Sequence, residues 1–215
     1  MMPPKDIFHF DNEVVSDVLL LVEGIEDARF CNAILCSLKR KDVQISYVKG
    51  KDNFRPFLTK LLVKSRGFSR LRRLGIVRDA DKDASSTLQS LRGALQDAKL
   101  PAPQRPWRAA EEGGLAVSLA ILPDESSVGN LEDLCLRSLA DSPEYACVDQ
   151  YVRCRESFGA QISDNRASKS MVYTYLSVGK DSAEPGLRLG EAAEAGVWDW
   201  EAPGFSKIVR FLQGL

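Results

Sequence analysis

The sequence predicts an α/β protein with a central, mostly parallel sheet flanked by helices. Short apolar runs such as residues 18–22 and 74–77 alternate along the chain with segments whose apolar residues recur at helical spacing. Strands buried on both faces are continuous apolar runs, and alternation with helices favours parallel pairing through right-handed crossovers. A length of 215 residues and a hydrophobic content of 44% are sufficient for a substantial core.

The first part of the chain is predicted to alternate regularly between strands and helices. Val43, Ile45 and Tyr47 alternate as in a strand, whereas Phe57, Leu58 and Leu61 fall on one stripe of a helix. The same patterns predict strands over residues 18–22, 43–48, 74–78 and 115–122, and helices over residues 28–39, 54–64 and 85–98. Residues 100–114 are rich in Pro, Arg, Glu and Gly and are expected to form a surface connection.

The rest of the chain is predicted to be largely helical. Asn130 is a favourable N-cap for a helix over residues 131–139. Further helices are predicted over residues 145–158, 168–178 and 205–215. We therefore expect a single domain over residues 1–215, with its core motifs in residues 14–139 and a C-terminal extension in residues 140–215.

Composition argues against several classes of protein. The five cysteines are odd in number and lack Cys-x-x-Cys spacing, so neither a disulfide framework nor a zinc site is indicated. His9 is the only histidine, which argues against hydrolysis by a Ser-His or Cys-His pair. The apolar run 18–22 is far too short to span a bilayer. We expect a cytoplasmic protein with no membrane partner.

Acidic side chains follow two of the predicted strands. Glu23 comes directly after the first strand, and Asp27 lies one helical turn later. Asp79 and Asp81 follow the strand over residues 74–78. If the two strands are parallel neighbours, these carboxylates converge at the edge of the sheet where ligands bind in such folds. Carboxylates that close repel one another unless a cation joins them, and their oxygens suit Mg²⁺ or Mn²⁺.

Two further acidic positions are less decisive. Glu132 and Asp133 follow the strand over residues 115–122, so either could supply another carboxylate to the same edge. Acids in a first helical turn can equally serve only to complement the helix dipole. Asp83 is expected to cap the helix that follows it rather than to bind metal.

The two acidic motifs together resemble the TOPRIM domain. The matching features are the Glu23-Gly24 pair after a hydrophobic strand, Asp27 four residues past the glutamate, and Asp79-x-Asp81 after a later strand. That domain is shared by topoisomerases, bacterial primases, small ribosomal-RNA maturation nucleases and the overcoming-lysogenization-defect nucleases. The segments around Lys169 and residues 187–199 look like the tail of small stand-alone TOPRIM-like proteins related to the last group.

The resemblance implies a TOPRIM-like (Rossmann-like) sheet and metal-dependent phosphoryl transfer. It assigns Asp79 and Asp81 to a metal, Glu23 to a metal or to proton transfer, and Asp27 to a second metal. Stand-alone relatives often carry a glutamate at the position of Glu132. Lys169 could stabilise a phosphate in the transition state, or it could be a solvated helix residue.

Charge is distributed unevenly along the chain. The net charge is −1, yet residues 39–78 contain 13 basic and 2 acidic residues. Such a segment beside an acidic site suits a phosphate backbone, although exposed helix faces are often basic without any ligand. Lys49 and Lys51 follow the second strand and are the residues best placed to bind nucleic acid.

These observations predict Mg²⁺- or Mn²⁺-dependent phosphoryl transfer, with nuclease-type cleavage or processing of DNA or RNA, alone or with a protein partner. One alternative is a nucleic-acid or nucleotide binding module whose acidic site does no chemistry. Another is a receiver-like phospho-acceptor domain, which also clusters acids around Mg²⁺ at strand ends. The glutamate-glycine turn and the Asp-x-Asp pair fit the receiver alternative badly.

Overall fold

The computed structural model describes residues 7–160, 164–178 and 184–215. A five-stranded sheet has the order β2-β1-β3-β5-β4. The strands are β1 (Val18–Val22), β2 (Val43–Tyr47), β3 (Arg73–Asp79), β4 (Ala109–Glu112) and β5 (Leu115–Leu122). All neighbours pair in parallel except β4, which is antiparallel to β5 at one edge. The predicted α/β class with a mostly parallel sheet is confirmed.

Helices cover both faces of the sheet. They are α1 (Ile25–Ser37), α2 (Phe54–Pro56), α3 (Ala84–Asp97), α4 (Leu131–Ser138), α5 (Pro143–Ser157), α6 (Asp164–Leu176), α7 (Leu189–Glu194) and α8 (Ser206–Gln213). Single 3₁₀ turns occur at Lys51–Asn53, Leu62–Lys64, Phe68–Arg70 and Pro203–Phe205. Across these described ranges, no helix is both long enough and apolar enough to cross a membrane.

The helix predicted over residues 54–64 is irregular. One short α-helical turn is followed by a π-helical turn, Phe57–Leu61, and then by a 3₁₀ turn. Pro56 lacks a backbone N–H, and the Thr59 hydroxyl donates to the carbonyl oxygen of Arg55 at 2.8 Å. Because both features compete with regular α-helical hydrogen bonds, the segment buries its apolar residues without forming a continuous α-helix.

The central strands are buried on both faces by two separate apolar clusters. Leu20 and Val22 face the cluster that contains Phe30 of α1. Leu19 and Leu21 face the opposite cluster, which contains Phe54. Alternate residues of a strand point to opposite faces, so the uninterrupted apolar run of β1 is needed to fill both layers.

The C-terminal third supplies much of the cluster around α1. Phe205 is fully buried, and its ring lies 5.7 Å from that of Phe30 and 5.2 Å from that of Trp200, measured between centroids. Leu215 packs so closely on β3 that a Cβ added at Gly75 would lie 2.8 Å from its Cδ2 atom. The helices after residue 186 are therefore integral to the packing of one face of the sheet.

The expectation of a simple surface connection over residues 100–114 is wrong, because this segment contains β4. Glu112 pairs with Leu115 across the two-residue turn Gly113-Gly114. Both glycines have positive φ, 59° and 80°, as a tight hairpin turn with matching twist requires. The Gly-Gly pair was thus the signal of a hairpin, although the polar composition of β4 concealed the strand.

We expect Phe205→Ala to lower the free energy of unfolding by about 3–5 kcal/mol, because it opens a cavity in the cluster around α1. Urea denaturation followed by circular dichroism would measure the change. Phe158→Ala is the matched control, since Phe158 is 81% exposed and its loss should change stability by less than about 0.5 kcal/mol. Equal effects of the two substitutions would contradict this account of the core.

Candidate metal centre

The two acidic turns lie at the same edge of the sheet because β1 and β3 are parallel neighbours. Leu21 is opposite Ile76 in the register of the two strands. Glu23 comes directly after β1, whereas Asp79 is the last residue of β3. Both side chains are therefore carried to the carboxyl-terminal edge, which is the ligand-binding edge of open parallel sheets.

Asp79 is the most confined of the acids. Its Oδ1 atom is buried and has no hydrogen-bond partner among the described residues. Burial raises the pKa of Asp79 well above its ordinary value, and the charges of Asp27, Glu132, Glu23 and Asp81 raise it further. A buried carboxylate oxygen without a donor is costly unless the group is protonated or neutralised by a cation.

Arg78 does not neutralise Asp79, because adjacent strand residues point to opposite faces. Its guanidinium lies 5.9 Å from the centroid of the Phe54 ring and donates to Ser90 of α3 at 3.4 Å. Arg78 therefore packs on the other face of β3, although its charge still lowers the pKa of Glu23.

Asp27 combines a structural contact with a position beside the other acids. The backbone N–H of Gly24 donates to its Oδ2 atom at 2.9 Å and so caps the start of α1. Burial raises the pKa of Asp27 to about 7, with further increases from the charges of Glu23 and Glu132, while the hydrogen bond from Gly24 opposes them. Asp27 can therefore hold a proton near neutral pH when no cation is bound.

Glu23 and Asp81 interact with each other and with Lys51. Burial and the charge of Asp81 raise the pKa of Glu23, whereas Arg78 and Lys51 lower it. The Lys51 ammonium donates to Oδ2 of Asp81 at 2.8 Å. Lys51 thus partly compensates the negative charge on this side of the site.

The backbone of Asp81 is in the left-handed region, with φ of 55°. Two hydrogen bonds hold it there: its N–H donates to the Gly129 carbonyl at 2.8 Å, and the Gly129 N–H donates back at 2.9 Å. Asp tolerates this region better than most residues, and such conformations cluster at functional sites. The loop after β5 is therefore a direct support for the acidic turn after β3.

The structure separates the roles of the two acids at the start of α4. Asp133 accepts the backbone N–H of Asn130 at 2.9 Å and the Ser168 hydroxyl, so it serves to cap the helix and to dock α6. Glu132 instead raises the pKa of Asp27 and of Asp79, which shows that it lies among the acids. Asn130 is the N-cap, as predicted.

Lys169 reaches the same edge from the C-terminal third. Its Nζ atom lies 3.6 Å from Oε1 of Glu132. Lys169 and Lys51 contact different acids, Glu132 and Asp81 respectively. Lys49 is exposed, has φ of 64° and forms no ion pair among the described residues.

The expectation that residues 39–78 concentrate positive charge beside the acids is wrong for much of that segment. Lys51 lies there, but Arg40 and Arg73 donate to the carbonyl oxygen of Leu215 at 3.2 and 2.7 Å. The backbone N–H groups of Arg72 and Arg73 donate to the carbonyl oxygen of Asp17, just before β1 begins. These arginines stand at the amino-terminal edge because the chain must return there before each parallel strand.

Asp83 lines the cleft beside the acids but is held as a helix cap. Its Oδ1 atom accepts the N–H of Ser85 at 2.9 Å, and its Oδ2 atom accepts the Ser86 hydroxyl at 2.5 Å. These hydrogen bonds lower its pKa, in contrast to the raised values of the neighbouring acids. The predicted N-cap role of Asp83 is confirmed.

The acidic side chains lie near one another without meeting at one point. Within the described residues, no three His, Cys, Asp or Glu side chains are arranged as a ready-made metal site. The unpartnered Oδ1 atom of Asp79 and the surrounding carboxylates nevertheless have the chemistry that a hard divalent cation requires. An adjoining cleft of about 700 Å³, lined by Lys51, Asp81, Val128 and Ser168, has room for a ligand.

Sequence reasoning missed the supporting contacts of the site. Ser168 and Gly129 carry no recognisable chemistry, yet they fix Asp133 and Asp81. Gly129, directly before Asn130, was the available signal in the sequence. Its φ is 135°, and a Cβ there would lie 2.5 Å from Oδ2 of Asp133.

Comparisons with known proteins identify a family and similar solved structures. A family model described as "Protein of unknown function (DUF3226)" matches residues 17–215. The search of curated proteins found no match. Solved structures of the C-terminal region of the OLD protein from Xanthomonas campestris pv. campestris are similar to this chain. The structure phased with mercury is 14% identical, with a TM-score of 0.49. The match covers 93% of this chain and 96% of that chain. One phased with platinum is 13% identical, with coverage of 93% of each chain and a TM-score of 0.48.

We expect the stability of the metal-free protein to fall as pH rises from about 4 to about 7. In this interval folded Asp27 keeps a proton that the unfolded chain has released, so rising pH favours unfolding. Asp27→Asn retains an acceptor for Gly24 and removes the charge. We expect it to reduce this decline and to be more stable than the wild type above pH 7, by on the order of 1 kcal/mol or more.

Urea denaturation in EDTA across this pH range would test the expectation. Asp83→Asn is the matched control, because the pKa of Asp83 is lowered and Asn is also a good N-cap. If Asp27→Asn shows the same decline as the wild type, Asp27 does not titrate as proposed.

Proposed function

The chain belongs to the DUF3226 family, and we propose that it is a TOPRIM-type phosphoryl-transfer enzyme that cleaves or processes nucleic acid with Mg²⁺ or Mn²⁺. The observation that carries the proposal is the buried Oδ1 atom of Asp79, which has no donor in the described part of the chain. Burial and four other carboxylates raise the pKa of the group. A side chain that served only to cap a helix or to solvate a loop would not be held in this environment.

Charge balance favours a cation at this edge. Five carboxylates interact electrostatically here: Glu23, Asp27, Asp79, Asp81 and Glu132. Among the described residues, only Lys51 and Lys169 form ion pairs with them. Protonation can relieve the excess negative charge at low pH, but a divalent cation relieves it at neutral pH and also satisfies the oxygen of Asp79.

In this proposal the acids divide into ligands and a proton carrier. Asp79, Asp81 and Glu132 would hold one cation, with Asp27 available to a second. When bound, the metal would polarise the phosphate and stabilise the attacking and leaving oxygens. Glu23 is suited to hold or accept a proton because burial and the charge of Asp81 raise its pKa.

The two lysines would change partners when substrate binds. Lys51 and Lys169 pair with Asp81 and Glu132, which are also proposed metal ligands. Once a cation takes the charge of these carboxylates, both ammonium groups become available to phosphate oxygens. Lys49, which is exposed and without an ion pair among the described residues, would extend this contact along the backbone of DNA or RNA.

We expect Mg²⁺ or Mn²⁺ to raise the melting temperature of the wild-type protein, by roughly 5 °C at about 100 times Kd. In EDTA, Asp79→Asn should melt at a higher temperature than the wild type, because it removes a buried charge. It should gain much less from the metal, whereas the control Asp83→Asn should respond as the wild type does. An equal response of the Asp79 variant would exclude a metal at this position.

We expect purified protein to cleave supercoiled plasmid, single-stranded DNA or structured RNA when Mg²⁺ or Mn²⁺ is present and not in EDTA. Glu23→Gln and Asp79→Asn should lower the cleavage rate roughly 100-fold or more while the variants remain folded, because the first loses the proton carrier and the second a ligand. Asp83→Asn should cleave at the wild-type rate.

The same assay separates the two leading functions. Nucleic-acid binding that is unchanged by Asp79→Asn, with no metal-dependent cleavage of any substrate, would support a binding module instead. Cleavage that survives Glu23→Gln at full rate would place the activity outside this edge of the sheet.

A further inference from the structure

A second cleft lies beside the β4 edge, outside the acidic site. It has a volume of about 780 Å³ and is bounded by the segment that leads into β4 and by α8. Its lining includes the basic residues Arg105, Arg108, Lys207 and Arg210 and the aromatic residues Trp107 and Phe211. This combination of cations and rings distinguishes it from the adjoining cleft at the acidic edge, which is lined mainly by acids and small residues.

The arginines of this second cleft are not used to hold the fold together. Arg105, Arg108 and Arg210 are exposed, and their side chains make no ion pair or hydrogen bond within the described part of the chain. Lys207 pairs with Glu125 at 2.7 Å. By contrast, Arg40 and Arg73 are occupied by carbonyl and carboxylate groups. The cleft thus presents a surplus of cationic groups that have no acidic partner.

The backbone of Trp107 is held by a hydrogen bond to the sheet, and its ring packs against α8. Its backbone N–H donates to the Leu119 carbonyl of β5 at 2.7 Å, and its φ of 63° is unusual for a bulky residue. The half-buried ring meets Phe211 edge to face, with centroids 5.9 Å apart. Its Nε1–H is buried and has no acceptor among the residues that the structure describes. Unfavourable backbone geometry held in place by the surrounding structure is a recurrent property of ligand-binding residues.

The second cleft is close to the acidic edge along the chain and in the sheet. Because β4 is antiparallel to β5, residues 105–108 lie towards the carboxyl end of β5. Glu125, which pairs with Lys207, belongs to the loop that continues to Gly129 and its hydrogen bonds with Asp81. The loop over residues 123–130 is therefore the connection between this cleft and the acids.

We propose that this second cleft binds single-stranded nucleic acid, with bases on the Trp107 and Phe211 rings and phosphates on Arg105, Arg108, Lys207 and Arg210. Aromatic rings beside a basic groove are the features by which proteins hold single strands, since every base has a face that can stack. The Trp107 and Phe211 rings are partly buried, so bases would stack on the parts that line the cleft. Duplex is a poorer occupant because its bases are already stacked on one another. The inference depends on the proposed function only for the further step in which the bound strand reaches the acidic edge.

Binding of a fluorescent single-stranded oligonucleotide in EDTA, measured by anisotropy, tests the cleft without any cleavage step. We expect Arg105→Glu/Arg210→Glu to weaken binding roughly tenfold or more and to reduce the salt dependence of Kd, because two phosphate contacts are lost. The control Lys41→Glu/Lys60→Glu makes the same change in net charge at exposed lysines outside the cleft and should bind within about twofold of the wild type.

Ring variants test the stacking contribution separately. Trp107→Phe should retain most of the affinity, whereas Trp107→Ala should lose roughly fivefold or more. Arg105→Lys/Arg210→Lys, which keeps the charge, should restore most of the binding lost in the glutamate variant and so excludes misfolding as the cause. Wild-type affinity of the Arg105→Glu/Arg210→Glu variant would overturn the proposal, and so would an equal loss of affinity in the control Lys41→Glu/Lys60→Glu.

The outcome is distinguishable from that of the metal-site experiments. Loss of binding in the cleft variants with no cleavage by any form of the protein would support this proposal and count against the nuclease. Metal-dependent cleavage that is abolished by Asp79→Asn, together with unchanged binding in the cleft variants, would support the nuclease and overturn the cleft.

Discussion

The parallel pairing of β1 with β3 determines what the carboxyl-terminal edge of the sheet can do. It places Glu23 beside the turn that holds Asp79 and Asp81, although more than fifty residues separate the two motifs along the chain. The pairing is itself a consequence of burial, since both strands present apolar residues to each face and have no stable position at an edge. The free energy that holds the acids together thus comes from the core rather than from the acids.

That arrangement opposes the electrostatic preference of the side chains. Asp79 has a buried oxygen that no group in the described ranges donates to, and the pKa of Asp27 is raised to about 7. Lys51 and Lys169 compensate part of the charge from two distant parts of the sequence. Sites in which packing forces like charges together are typical of functional positions, because nothing in the stability of the fold requires the charges.

Patterns of apolar residues were sufficient to predict the central strands, because β1, β3 and β5 are largely buried on both faces and are therefore mostly apolar. They were insufficient for β4, whose exposed Glu111 and Glu112 carry no hydrophobic signal. The expectation that basic residues lie beside the acids also failed for Arg40 and Arg73. A basic segment that runs between parallel strands has residues at both edges of the sheet. The contact of Lys169 with Glu132 could not be predicted because it depends on how α6 packs against α4.

The sheet face that carries α1 is packed only when the C-terminal helices are present, and this has a consequence for synthesis on the ribosome. A nascent chain that has emerged only as far as α5 already contains every acid of the site, but it lacks Lys169 and leaves Phe30 and its neighbours without the rings of Trp198 and Phe205. Such an intermediate exposes an apolar face and is prone to association. Closure of this face therefore requires α8, which lies C-terminal to every acid of the site.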